Sequence, residues 1–404
     1  MSGFSYLCSE MTDIQQLRKE NISQLALKLA GHPDAAFLLR QVEGWQRLSV
    51  KVPSWAVVDD LHYPHRLALE QCSGEAVVRY KAAVVKRLFP EGATAMADLT
   101  GGLGVDFSFV APLFKRAAYV ERQEELCSLA THNFPLLGLY HALVHHADGV
   151  AYLRQMQAVD LLFLDPARRD AAGRKTVLLE DCEPNVVELL PLLLEKSKVC
   201  ILKLSTMLDL HQALASLQNV AEVHVVGERG ECKDLLLILR KECNNATTPA
   251  VVYCADDHHR FNFTIEEETT AIPTYTSTLG TYLYEPSATV LKAGAFKQIG
   301  VRFNLKKLHP NSHLYTSDTL HTDFPGRTFT VERTGGFGKR ELKTFCEGRT
   351  QANLTVRNFP ATVADLRKRL KLREGGDEYW FATTLSDDSH CLIACRKVES
   401  QHSY

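Results

Sequence analysis

The side chains best suited to chemistry fall at intervals along the middle of the chain. Asp98-Leu-Thr-Gly-Gly-Leu-Gly104 joins a short apolar run to a helix-like pattern from Val105 to Phe114. A turn of this kind lets backbone pass close to a ligand, because Gly101, Gly102 and Gly104 have no Cβ in the way. It also points the first N–H groups of the following helix at the site. Glu121 comes 23 residues after Asp98, followed by Asp148-Gly149, by Asp165-Pro-Ala-Arg-Arg-Asp170 and by Lys203-Leu-Ser205. A carboxylate at Glu121 can accept from both adjacent hydroxyls of a ribose, and one at Asp148 from an adenine amino group. Asp165 has the chemistry to hydrogen-bond a nucleophile's proton or to remove it. The planar forks of Arg168 and Arg169 match phosphate oxygens.

These residues need a scaffold that brings strand ends together, and the pattern from about 93 to 240 supplies one. Apolar runs at Ala95–Leu99, Ala117–Val120, Ala142–His145, Asp160–Leu164 and Lys198–Leu204 alternate with helical patterns. That succession predicts a parallel sheet with helices on both faces. Val220–Val226 and Asp234–Leu239 flank Gly227-Glu-Arg-Gly230 and read as a hairpin, which gives the sheet an antiparallel strand at its edge. Ligands bind outside the carboxyl ends of such strands, which is where the acids above fall.

The same spacing excludes some ligands. A dinucleotide fingerprint starting at Gly102 and Gly104 needs a third glycine where this chain has Phe107. There is no G-x-x-x-x-G-K-[ST] either, so a P-loop nucleotidase is not expected. The 16 histidines, including His145-His146 and His258-His259, lack ligand spacing with a Cys or acid partner, so no metal site is expected.

The chain has 404 residues, 45% hydrophobic and 23% charged, which is the composition of a multi-domain globular protein. No apolar run reaches the roughly 18 to 20 residues of a membrane span, and no secretory signal opens the chain. Eleven cysteines without a CxxC pair argue for reduced thiols in the cytoplasm, and the lack of an apolar span makes a membrane partner unexpected. A net charge of −2 carries no information as a total. The residues do not fix the oligomeric state, and a monomer is the default expectation.

Residues 1–92 read as helical, with no site of their own. Ile14, Leu17, Leu25 and Leu29 form one stripe that Gly31-His32-Pro33 ends, and Ser73 precedes a helix bearing Val77, Tyr80, Val84, Val85 and Leu88. After the linker-like Asn244-Asn-Ala-Thr-Thr-Pro249 come strands, a helix Ser287–Gln298 and a basic stretch from 326 to 376. Strand, helix, strand, helix and two strands are expected there, ending at His390–Arg396. Lys339, Arg340, Arg367 and Arg369 are the expected phosphate contacts, with Phe337, Phe345 and Phe359 available to stack on bases.

DLTGGLGVD, YVERQEEL, HADGVAYL and LLFLDPARRD resemble motifs I to IV of class I S-adenosylmethionine-dependent methyltransferases, in order. With PSW and LEQCSGEAVVRYK before them and LYEPSATVLKAGAF after, nearly the whole chain is similar to a bacterial family of uncharacterised methyltransferases. Trimethylguanosine synthase is a more distant likeness within the catalytic part. The resemblance implies a Rossmann-like α/β fold with a seven-stranded sheet. It also implies the domains 1–92 (helical), 93–242 (methyltransferase), 243–325 (ferredoxin-like α+β) and 326–404 (THUMP-like). It implies S-adenosylmethionine as cofactor and RNA, ribosomal or transfer, as substrate, because THUMP modules bind RNA. Asp98, Gly101, Gly102 and Gly104 would then meet the methionine end, Glu121 the ribose, and Asp148 and Gly149 the adenine, with Thr100 and Arg122 also at the cofactor. Asp165 and Pro166 would flank the acceptor, with Arg168 and Arg169 beside it.

The fourth motif departs from amino-methylating relatives, since Ala167 replaces a second proline and Arg168 an aromatic ring. An arginine plane replaces such a ring only in part. Methylation of a protein or small molecule, or RNA binding without turnover, are the competing readings.

Overall fold

The computed structural model describes residues 14–167, 178–244 and 249–398. The chain divides into two compact units, Met1–Ala221 with Lys233–Thr248 and Glu222–Cys232 with Pro249–Tyr404.

The first unit is built on β1 (Ala93–Asp98), β2 (Phe114–Glu121), β3 (Ala142–His146), β4 (Val159–Leu164) and β5 (Ser197–Leu204). They lie parallel in the order β3-β2-β1-β4-β5. The direction of travel reverses beside β1, so the crevice opens at the carboxyl ends of β1 and β4. Leu161, Leu162, Phe163 and Leu164 are all buried, as expected of a strand covered on both faces. Of the hairpin strands β6 (Val220–Glu228) and β7 (Glu231–Leu239), β7 runs antiparallel to β5, as its sequence predicts. The expectation that the hairpin ends the sheet is corrected. In the second unit β6 pairs in parallel with β8 (Val251–Ala255), which pairs with β9 (Arg260–Thr264).

Helices Ala35–Lys51 and Glu75–Leu88 dominate the N-terminal part. The expected single stripe from Ile14 to Leu29 is interrupted at Asn21, whose side chain accepts from the N–H groups of Ser23 and Gln24 and starts a new helix at Ile22. Leu48, Val52, Trp55, Leu61, Leu69 and Val78 share one core with Leu103 and Val105 of the glycine turn. The helical part therefore packs directly on the turn.

The second unit also contains β10 (Thr274–Tyr275), β11 (Tyr282–Pro286), β12 (Lys306–Lys307), β13 (Tyr315–Ser317), β14 (Gly326–Gly335), β15 (Asn353–Arg357), β16 (Glu378–Thr384) and β17 (His390–Lys397). They form one sheet in the order β10-β12-β13-β11-β14-β17-β16-β15. The expected order over the basic stretch is found, with helices Lys339–Cys346 and Val363–Leu370 between the strands. Thr362 and Asp365 close a capping box on the second of these helices. The single helix expected over Ser287–Gln298 is instead two, Ala288–Ala293 and Gln298–Arg302. Gly294 ends the first in the left-handed region at φ 78°, which an L side chain resists. Among the described residues, no helix is long and apolar enough to cross a membrane.

Candidate functional site

A cavity of ≈ 640 Å³ opens at the carboxyl ends of β1, β2 and β4. Asp98, Thr100, Gly101, Gly102, Gly104, Glu121, Arg122, Asp148, Gly149 and Asp165 all line it, so residues spread over 68 positions meet in one place. Pro166 is buried behind Asp165. Arg168 and Arg169 lie outside the described residues.

The turn is held from beneath. A Cβ on Gly101 would sit 2.2 Å from the Tyr119 ring, and one on Gly149 2.3 Å from the Leu99 carbonyl oxygen. Those two glycines are demanded by packing. Gly102 differs, because an added Cβ would meet nothing closer than 3.8 Å and its φ of 57° is left-handed. Its N–H donates to Glu121 Oε2 at 2.9 Å, and its carbonyl accepts from the Tyr119 hydroxyl. Glu121 Oε1 accepts from the Gln123 N–H at 2.9 Å, so the carboxylate is fixed through both oxygens, each keeping a further lone pair.

Asp98 is buried at the end of β1, where Oδ1 accepts from the Thr100 N–H at 3.0 Å. Burial pushes its carboxyl up to about 7 against that hydrogen bond, and the charges of Asp106 and Asp165 add to the rise. The Thr100 hydroxyl accepts from the Asp165 N–H at 2.6 Å and ties the ends of β1 and β4 together. Asp148 caps the helix Gly149–Gln155, accepting from the Ala151 N–H at 2.9 Å through Oδ1. Arg122 pairs with Glu183 at the exposed rim, 3.0 Å away.

Lys203, at the carboxyl end of β5, reaches Asp165 Oδ2 at 2.5 Å and Asp106 Oδ2 at 3.5 Å. Burial alone would lower its basicity, but the facing carboxylates of Asp165, Asp106 and Asp234 raise it well above the ordinary value. Lys81 contacts Asp106 Oδ1, lies 2.7 Å from Asp234 Oδ2, and donates to the Ser73 hydroxyl at 2.8 Å. Burial opposes ionisation of Asp106, yet Lys81 and Lys203 outweigh it and hold the carboxyl at about 2.

One sign of this network is visible in the sequence. Lys81 stands on the apolar stripe of Val77, Val84 and Val85, where a lysine is out of place unless it meets an anion. Ser73, placed before that helix, spends its hydroxyl on Asp106 rather than on the helix N-terminus. The N-terminal part is not without a role at the site. Pro64, His65, Ala68 and Cys72 line the cavity, and Lys81 supports it from below.

In the second unit, Lys339 and Arg340 are exposed on their helix. Arg367 donates to the Ala352 carbonyl at 3.2 Å and faces Glu374 at 3.4 Å, and Arg369 donates to the Phe337 carbonyl at 3.2 Å. Phe345 is corrected as a stacking candidate, since it is buried edge-on against Trp380 with ring centroids 4.9 Å apart. Phe337 and Phe359 remain partly exposed, 4.4 Å apart.

A parallel sheet that reverses beside β1, a glycine turn after that strand and acids after the next three define the class I methyltransferase fold. Comparison with known proteins narrows the class. Residues 282–325 match the model of a ferredoxin-like domain, and residues 326–397 that of a THUMP domain-like family. A crystal structure described as a putative methyltransferase from Porphyromonas gingivalis W83 is 34% identical, with a TM-score of 0.87 over 99% of this chain and 100% of that one. An uncharacterized S-adenosylmethionine-dependent methyltransferase of Mycobacterium tuberculosis (strain H37Rv) is 23% identical over 327 residues, 80% of this chain and 83% of its own. The chain belongs to the same methyltransferase family as the Porphyromonas protein.

Proposed function

We propose that this S-adenosylmethionine-dependent methyltransferase acts on RNA. The observation that carries the methyl-transfer reading is the convergence of the Gly102 turn, Asp98, Glu121 and Asp165 on one cavity of ≈ 640 Å³. Such a volume suits a nucleoside-sized ligand. Bound there, S-adenosylmethionine supplies a methyl group on a positively charged sulfur. The residues fit that molecule. Gly101, Gly102 and Gly104, with Asp98 and Thr100, form a wall of backbone and carboxylate suited to its methionine end. Glu121 is fixed by two backbone N–H groups with lone pairs left for ribose hydroxyls, and Arg122 stands beside it. Asp148 and Gly149 lie where an adenine edge would come.

Transfer is an in-line displacement, so the protein chiefly has to align the acceptor and exclude water. Asp165 is gripped by Lys203 through Oδ2, which leaves Oδ1 to accept a hydrogen bond from the acceptor's N–H or O–H. Pro166 stiffens the turn, and Arg168 and Arg169 are assigned to a phosphate beside the target. RNA is favoured as substrate by the THUMP-like segment and by Lys339, Arg340 and Arg369, exposed on two helices of one module, while the expected contact Arg367 is paired with Glu374.

The test is incubation of the full chain and isotopically labelled S-adenosylmethionine with total RNA from cells lacking the gene, followed by mass mapping of nucleosides. One newly methylated position is expected. Cofactor binding without label in any RNA would sink the substrate assignment. Asp165→Asn should slow transfer by about 10²- to 10⁴-fold while cofactor affinity changes little. Equal loss of both would move Asp165 into the cofactor site.

A further inference from the structure

The second unit has a cavity of its own, ≈ 630 Å³ in volume, that methyl transfer does not use. Its floor is Glu285 on β11, whose side chain is 3% exposed. Two arginines from the following module close on that carboxylate from either side. Arg327 donates Nε at 2.9 Å, and Nη2, to Glu285 Oε2, while Arg357 donates Nε at 3.1 Å and Nη2 at 2.9 Å to Oε1. Each guanidinium therefore spends one edge on Glu285. Neither Nη1 has an acceptor among the described residues.

A single carboxylate between two guanidinium groups leaves one positive charge over. The other ionised lining groups are Arg229 and Lys397, against Asp256 and Asp257. Those two acids are already engaged. Asp256 accepts from the N–H groups of His258 and His259, at 3.0 and 2.9 Å, and Asp257 from that of Arg229 at 2.6 Å. Arg327 is also fixed in space, lying over the Phe329 ring at 5.5 Å and the Tyr379 ring at 5.9 Å. A guanidinium held between rings and a carboxylate loses little freedom on binding a further anion.

We infer that this cavity binds a phosphate monoester carried on a nucleoside-sized body. The free guanidinium N–H groups of Arg327 and Arg357 and the ammonium of Lys397 take the phosphate oxygens, since planar forks match tetrahedral oxyanions. The remaining volume, walled by Leu320, His321 and Phe324, receives the organic part. A bridge joining β11 to β14 and β15 needs only the contacts to Glu285. A cavity of this size beside the surplus charge is not needed for that, and it is the cavity that separates a binding site from a structural clamp.

The inference does not depend on the methyl-transfer reading and is tested without S-adenosylmethionine. Calorimetry on the full chain with inorganic phosphate and with adenosine 5′-monophosphate reads the two parts of the site. Binding in the micromolar to low-millimolar range is expected, roughly −8 to −4 kcal/mol, with the nucleotide tighter than phosphate. Arg357→Lys, which keeps the charge but loses the fork, should weaken the nucleotide by about tenfold. Lys397→Gln changes an exposed side chain and serves if Arg357→Lys fails to fold; it should weaken both ligands several-fold. An oligoribonucleotide with a 5′-phosphate, compared with the same sequence ending in a 5′-hydroxyl, tells an RNA end from a free nucleotide as the source. No binding of phosphate or nucleotide, or binding that neither substitution alters, overturns the proposal.

Discussion

The two cavities have nearly equal volumes and opposite chemistry. In the first, buried lysines hold carboxylates: Lys81 is 1% exposed and Lys203 10%, and between them they grip Asp106, Asp234 and the 42%-exposed Asp165. In the second, a carboxylate that is 3% exposed holds two arginines that are 44% and 36% exposed. In each case a buried ion holds a more exposed group of opposite sign at the cavity, Lys203 holding Asp165 and Glu285 holding Arg327 and Arg357. A charge taken out of water needs a partner, and the partner is what the cavity displays. The first display suits a cationic ligand such as a sulfonium, the second an anion.

Removing the buried ion from each tests whether the two arrangements are equivalent. Lys81→Met leaves Asp106 and Asp234 facing each other with little water, and breaking a buried pair in this way costs about 3–5 kcal/mol. Hydrogen exchange of the β1 and β7 amides should accelerate accordingly, because local opening free energies are read there. A change below about 1 kcal/mol would mean that the network is slack and does not support the site. Glu285→Gln should cost less, about 1–2 kcal/mol in the exchange of β11 and β14, because half-exposed arginines can rehydrate. If the order of the two effects were reversed, burial would not be the variable that distinguishes the cavities.

The strands of the first sheet are legible because each is a short apolar run that a polar residue ends or directly follows. The seven runs from Ala93 to Leu239 differ from expectation only at their ends. What stayed hidden is whatever depends on contacts distant in sequence. Ser73 meets Asp106 and Asp234 across 33 and 161 residues, and no local pattern encodes such a meeting. The basic stretch misled in a related way. Arg327 and Arg357 count toward its charge, yet both spend one edge on Glu285, and Arg333 and Arg349 both face Glu378. Charge in a sequence is a total, whereas charge at a surface is what remains after pairing. Phe345 looks available for the same reason, since an aromatic between arginines has the same sequence signature whether it faces solvent or Trp380.

The smallest expected effect is a fraction of a proton at Asp98. Its carboxyl is raised from an ordinary 3.8 to about 7, chiefly by burial, with Asp106 and Asp165 adding to the rise. A raised acid holds a proton in the folded state that the unfolded chain has already lost. Stability from this group therefore falls as pH rises from about 4 to about 7, because the unfolded state binds fewer protons across that window. A cationic ligand in the first cavity favours the ionised form, so binding S-adenosylmethionine near pH 7 should release up to about half a proton. Calorimetry in buffers of different ionisation enthalpy counts that proton directly. Asp98→Asn should abolish the release and flatten the rise of cofactor affinity between pH 6 and 8. Anion binding in the second cavity should be unaffected by the same substitution, since Asp98 lies in the other unit. Release that persists in Asp98→Asn would assign the titrating group elsewhere in the first cavity and weaken the argument that burial of Asp98 tunes it for a positive charge.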